Sequence, residues 1–191
     1  MQTFLETSFQ NVNSDKRTDV LHAALLDEVL NANPAWAEYD WKFEYRLPVD
    51  GYGGTFKLDI AGFVDGVIKV VILAKAANSN VAKNNKNYGN TSVGEAARLI
   101  YAPDIDLEKV LFISIAPRVA PRFKKSGEVG GFDKVVSSRL RTNIAPVLKQ
   151  QYGDKVQAID LMYDIVNVKQ KKTKDDFSDI IVENLDELVI A

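Results

Sequence analysis

The chain has 191 residues, 46% of them apolar and 26% charged, with a net charge of −2 at pH 7, enough for one ordinary domain with a hydrophobic core and too short to expect two. It contains no cysteine, which excludes disulfides, thiolate zinc centres and cysteine nucleophiles together, and no apolar run approaches the roughly 20 residues a membrane helix requires. The near-neutral balance neither indicates nor excludes a nucleic-acid partner, because what matters is whether the basic residues gather on one face.

Met1-Gln2-Thr3-Phe4-Leu5-Glu6 shows no basic region followed by an apolar stretch, so a cytoplasmic location is expected. Ser14 or Asp15 caps a predicted helix that runs to 31, with Val20, Leu21, Ala24, Leu25 and Val29 as its apolar stripe and Pro34 beyond its end. The only histidine, His22, falls on this helix; a lone helical histidine reads as structural, which leaves chemistry to carboxylates, lysine, hydroxyls or a metal held by oxygen. Residues 39–47 alternate Tyr39, Trp41, Phe43 and Tyr45 with Asp40, Lys42, Glu44 and Arg46, a period of two that predicts a strand with one wet face. Trp36 and Trp41 are expected in the core or an interface.

Gly51-Tyr52-Gly53-Gly54 reads as a flexible turn before strands at 56–64 and 67–76. A polar loop is expected over 78–91, then a short helix capped by Ser92, and Val110-Leu111-Phe112-Ile113-Ser114-Ile115 reads as a buried parallel strand. Arg118, Arg122, Lys124 and Lys125 fall in one predicted loop, 132–152 reads as a helix kinked near Pro146, and 156–168 holds the last strand. The order αβββαβαβ predicts an α/β fold, a mixed β-sheet flanked by helices. One domain spans 1–191, with 169–191 a C-terminal extension entered through the solvated run Lys169-Gln170-Lys171-Lys172-Thr173-Lys174. Acids concentrate in that extension, at Asp175, Asp176, Asp179, Glu183, Asp186 and Glu187, which leaves the basic residues to form an anion-facing side.

The hairpin around Asp65-Gly66 carries the chemistry. A strict two-residue turn sets Asp59 opposite Ile72 on the apolar face; a three-residue turn or a bulge at Gly66 aligns it with Leu73 and Lys75. Burying an unpaired carboxylate is costly, so the bulged register is expected. Asp59 and Lys75 then project toward one point, where the aspartate can hold Mg²⁺ and the lysine can orient a water or stabilise charge on phosphorus. Glu44, on the neighbouring strand, can add a second oxygen ligand or a base.

This arrangement resembles the PD-(D/E)xK nuclease superfamily, the fold of many type II restriction endonucleases, over roughly residues 14–116. The resemblance implies a restriction-endonuclease-like core and an endonuclease that hydrolyses DNA with Mg²⁺ or Mn²⁺ as a homodimer. By position Asp59 resembles the first metal-binding acid, Lys75 the catalytic lysine and Glu44 an auxiliary acid, and Leu58 replaces the nominal proline. Leu73 stands at the place of the second metal-binding acid, and an aliphatic chain cannot coordinate a hard cation. Three readings follow: another acid substitutes, either Glu44 or a displaced one such as Glu95; the leucine is an inactivating change; or the fold persists without the reaction.

Asn78, Asn80, Lys83, Asn84, Lys86 and Asn87 leave the expected active site directly after Lys75, and asparagine and lysine are the types that meet adenine edges and phosphates. They are expected to contact DNA, as are Arg118, Arg122, Lys124 and Lys125. The rival readings are a catalytically inactive DNA-binding domain on the same fold, and an interaction module whose acidic C-terminal segment binds a protein partner.

Overall fold

Apolar alternation in three successive segments builds half of the main sheet: β1 (Asp40–Pro48), β2 (Thr55–Val64) and β3 (Val67–Ala76) pair antiparallel in that order. β4 (Ile105–Pro117) and β7 (Val156–Ile165) continue it in parallel, and a two-residue β8 (Val182–Glu183) closes the far edge, giving the order β1-β2-β3-β4-β7-β8. β5 (Val119–Phe123) and β6 (Val129–Lys134) form a separate two-stranded ribbon. The helices are α1 (Gln2–Thr7), α2 (Lys16–Ala32), α3 (Val81–Ile100) and α4 (Ala145–Tyr152). The structure, a computed structural model, describes residues 1–9, 16–48, 55–100, 102, 105–137 and 145–191. The expected glycine-rich turn at 51–54 lies outside them.

The architecture is mixed α/β, as expected. Each face of the sheet carries its own core. On one face α1, α2 and Trp36 pack over Ile60, Val70, Ile72, Leu111, Ile113, Leu161 and Tyr163. On the other, Leu58, Ala61, Phe63, Val71, Leu73, Val110 and Phe112 pack with Leu99 of α3. No helix among the described residues is long and apolar enough to cross a membrane.

Several expectations change. From Val81 on, the polar loop expected at 78–91 is instead the first half of α3; the buried positions of that helix include Ser92 and Glu95 as well as Leu99, so its inward stripe is too polar to register as a hydrophobic period. The basic loop is the β5–β6 ribbon, hidden from a propensity reading by Pro121, which suits a ribbon edge. Of the span 132–152 expected as a helix, residues 132–134 belong to β6 and 145–152 to α4, while 138–144 lie outside the described residues; Pro146 is the second residue of α4 as described, where a missing N–H costs little.

The C-terminal extension is built into the fold. Phe177 is fully buried, stacked on Phe9 at 5.1 Å between centroids and edge-on to Phe123 at 5.4 Å. Ile180 and Val182 join the same core. Phe177→Ala is expected to lower unfolding free energy by about 3–5 kcal/mol, the usual cost of a buried phenylalanine truncation, measured by urea denaturation; a loss below about 1 kcal/mol would mean that the segment is an undocked tail.

The charge segregation expected from the sequence is bridged at one point by folding. Arg118 pairs with Asp186 and with Asp164 at 3.5 Å, and donates to the Asn184 carbonyl at 2.7 Å. One C-terminal acid, Asp186, therefore meets one of the basic residues it was expected to stand apart from.

Candidate metal centre

Two adjacent strands break their regularity at the same point, and the two acids sit at that break. β1 and β2 pair Phe43 with Ile60 and then Tyr45 with Leu58, leaving Glu44 and Asp59 out of the ladder. Glu44 has φ of 55°, the left-handed region that costs a non-glycine residue roughly 1–2 kcal/mol. On β2, Leu58 belongs to one core and Ile60 to the other, although a regular pleat puts residues two apart on the same face. The strand turns over at Asp59.

The hairpin ladder supplies the second condition. Asp65 and Gly66 both have positive φ and close a two-residue turn between Val64 and Val67, the geometry that an Asp-Gly pair favours. The bulge expected at Gly66 lies instead at Lys69, where the register shifts against Gly62 and Phe63. The freed Lys69 side chain pairs with Asp106 at 2.5 Å. The shift moves the register by the one residue anticipated, and the ladder then ends at Ile60 and Ile72. Beyond it β2 stays with β1 and β3 with β4, so the strands part where Asp59 begins. Its Oδ2 accepts the Ala74 N–H at 2.8 Å, which fixes the carboxylate in the gap.

His22 enters this gap from α2. Its Nδ1 lies 3.1 Å from Glu44 Oε1 and its Nε2 3.9 Å from Asp59 Oδ1, and its ring lies nearly parallel to Phe43 with centroids 6.5 Å apart. One ligand atom from each of His22, Glu44 and Asp59 can be chosen so that all lie within 4.8 Å of one another. Glu44 Oε2 pairs with Lys57. On β3, Lys75 Nζ meets Glu95 Oε1 of α3 at 3.0 Å. Burial pushes the His22 pKa down, Asp59 and Asp19 oppose the shift, and Lys57 and Lys75 reinforce it. At neutral pH the imidazole is therefore uncharged and keeps a lone pair for a ligand.

The donor set fits a divalent cation. His22 Nδ1 and Glu44 Oε1 are buried, face one another, and make no hydrogen bond. Adjacent ligands about 2.1 Å from an octahedral ion stand about 3 Å apart, which is the spacing these two atoms have. Asp59 Oδ1 lies nearest the other ring nitrogen, Nε2, at 3.9 Å, and one ligand atom from each of the three residues falls within 4.8 Å of the others.

Asp59 and Glu44 are thus brought together as expected, and Lys75 stands near enough for its charge to bear on His22. His22, expected to be structural, is buried in the core stripe of α2 and also lies beside Glu44 and Asp59. The signal for it was its place: it shares the stripe of Leu25, Leu26 and Val29 and is 1% exposed, and a polar residue on a core stripe is the informative exception. Leu73 is 2% exposed and packs in the core.

The residues expected to contact DNA stand in different settings. Asn78 is buried, donating to Ser8 Oγ at 2.7 Å and accepting from the Tyr163 hydroxyl at 3.1 Å, so its amide is held inside the protein, away from a base edge. Asn80 is half-buried just before α3, with its N–H bonded to the Pro121 carbonyl. Arg118, Arg122 and Lys124 are paired with acids, the last two with Asp133 at 3.3 Å and Glu128 at 3.1 Å, whereas Lys125 is exposed at the ribbon turn. Asn87 is exposed on α3, and the side chains of Lys83, Asn84 and Lys86 lie outside the described residues.

Glu44 yields a direct test of the strained strand. Alanine pays the left-handed penalty that glycine avoids, so Glu44→Gly is expected to be more stable than Glu44→Ala by about 1 kcal/mol, or roughly 2–4 °C in Tm. Thermal unfolding of the two variants checks this; equal stability would mean that residue 44 relaxes to extended backbone once its carboxylate is gone. Compared with protein-family models, with curated proteins and with solved structures, the chain matches none of them.

Proposed function

We propose that this protein is a metal-dependent endonuclease that hydrolyses DNA phosphodiester bonds, of the restriction type and acting as a homodimer, since cutting both strands asks for two active sites. The observation that carries the reading is the convergence of Glu44, Asp59 and His22 on one buried point where the sheet opens, with Lys75 on the next strand. A divalent cation held by these three would neutralise charge developing on a phosphate and lower the pKa of a water.

The other groups have complementary tasks. Ala74 N–H holds Asp59 in place, and Lys57 holds Glu44 by its second oxygen. Lys75, anchored by Glu95, supplies positive charge where the phosphate becomes more anionic. Glu95 Oε2 is buried without a hydrogen-bond partner, so it has the lone pairs to orient a water and accept its proton. Glu95 therefore supports the reading in which an acid displaced from position 73 arrives on a helix, and the imidazole nitrogen of His22 moves the donor set away from the all-oxygen coordination that Mg²⁺ prefers, toward a softer divalent ion.

A second reading, a silent DNA-binding domain on the same fold, is favoured by the burial of Leu73. Incubating plasmid and phage DNA with the protein and Mg²⁺ or Mn²⁺ separates the two. Discrete fragments lost in Lys75→Ala are expected; salt-sensitive DNA binding with no cutting under either metal would leave the silent reading standing.

A further inference from the structure

A cleft of about 470 Å³ opens between the start of β2 and the outer face of α3, lined by Lys57, Asn90, Thr91, Gly94, Glu95 and Arg98 among others. It adjoins the metal centre at two points, because Lys57 also holds Glu44 and Glu95 also holds Lys75. Asn90, Thr91, Gly94 and Arg98 recur at helical spacing and are all exposed, so they form one continuous face of α3. The Arg98 guanidinium is set 5.7 Å from the Phe56 ring centroid, and no ion pair given among the described residues engages it.

Gly94 is the telling residue. Glycine is the weakest helix former after proline, and its usual excuse in mid-helix is a neighbour too close for a side chain. Here a Cβ would find nothing within 4 Å. Packing does not require this glycine, but a ligand does if its backbone must approach the helix closely.

We infer that this cleft seats the sugar-phosphate backbone of a nucleic-acid strand next to the metal centre. Arg98 holds a phosphate, the Asn90 amide donates to the strand, and the bare surface at Gly94 lets it lie against α3. The inference rests on the nuclease reading and adds to it the path of the substrate, on a helix face that spacing and chemistry suit to a polyanion.

The test is fluorescence anisotropy with labelled single- and double-stranded DNA and RNA oligonucleotides in EDTA, so that binding is read without cutting. Gly94→Leu, which fills the cleft from a site with room for a side chain, is expected to weaken binding about tenfold or more while its Tm stays level or rises. Gly94→Ala is expected to raise Tm by roughly 2 °C with a smaller loss. Arg98→Ala is expected to weaken binding several-fold and to reduce the salt slope by about one phosphate contact. The probe bound most tightly identifies the kind of strand. Unchanged binding in both Gly94→Leu and Arg98→Ala overturns the cleft as the seat, and so does an absence of binding to all four probes. In either case metal-dependent cutting by the unaltered chain shows whether the nuclease reading survives.

Discussion

Asp59→Asn is expected to lower metal-dependent DNA cleavage by about 10²–10³-fold while leaving the fold intact. The asparagine has the same shape, and its amide oxygen can still accept the Ala74 N–H that Asp59 Oδ2 accepts at 2.8 Å, so the strand gap keeps its internal bond. What disappears is a negative charge beside His22 and Glu44. Metal charge is worth several kcal/mol at a phosphoryl transition state, and at about 1.4 kcal/mol per factor of ten, losing about 3–4 of them gives the stated range. Two measurements check it: the rate of plasmid cutting in Mn²⁺, and Mn²⁺ affinity by calorimetry. Both should fall while thermal unfolding in EDTA shifts by no more than a few degrees. Full cutting by Asp59→Asn would remove this residue from the metal centre, and a collapse of Tm would show that its charge serves folding.

The sequence made the strands of this fold legible where side-chain alternation was strong. The segments at 40–48, 55–64 and 67–76 each follow a pattern of period two or an unbroken apolar run, and the Asp-Gly turn between the last two has local chemistry that names its own geometry. The elements that escaped are those whose buried face is polar or small. α3 buries Ser92 and Glu95 beside Leu99, and the β5–β6 ribbon contains Pro121 and two adjacent glycines, Gly130 and Gly131. The C-terminal segment looked like a solvated tail because its charges dominate, yet Phe177, Ile180 and Val182 carry it into the core. Composition counts charges and cannot see that three apolar residues decide the docking.

The site divides in the same way. Asp59 and Lys75 were legible because their positions along a hairpin are fixed by register, which sequence can compute. Glu44 could be placed on the neighbouring strand, but not the left-handed backbone that takes it out of the ladder. His22 reaches the site from a helix whose packing angle no local pattern contains. The ion pairs of Arg118, Arg122 and Lys124 with nearby carboxylates were not legible either, because they join segments whose approach is set by the fold and not by any local pattern.

Leu73→Glu is the other change with a large expected effect, and its sign separates family pattern from local environment. By pattern the substitution restores a missing metal ligand. By environment it drives a carboxylate into a core formed with Leu58, Val71, Leu99 and Phe112, at a position 2% exposed. An ionised group left unpaired there costs about 3–5 kcal/mol, a large share of the roughly 5–15 kcal/mol that holds a domain folded. The expected result is a protein destabilised by at least 3 kcal/mol and no faster at cutting DNA. The penalty also has a pH sign: burial raises the folded pKa of the new glutamate above its unfolded value of about 4.3, so stability is best retained below that value and falls as pH rises toward the folded pKa. Urea denaturation at pH 4.5 and pH 8 should therefore show a larger deficit against the parent chain at pH 8, whereas Leu73→Ala should show a deficit independent of pH. Faster cutting by Leu73→Glu, with stability unchanged across this range, would mean that the side chain at 73 turns out of the core to reach the ion beside Asp59, and that the opening of β2 from β3 is wide enough to admit it.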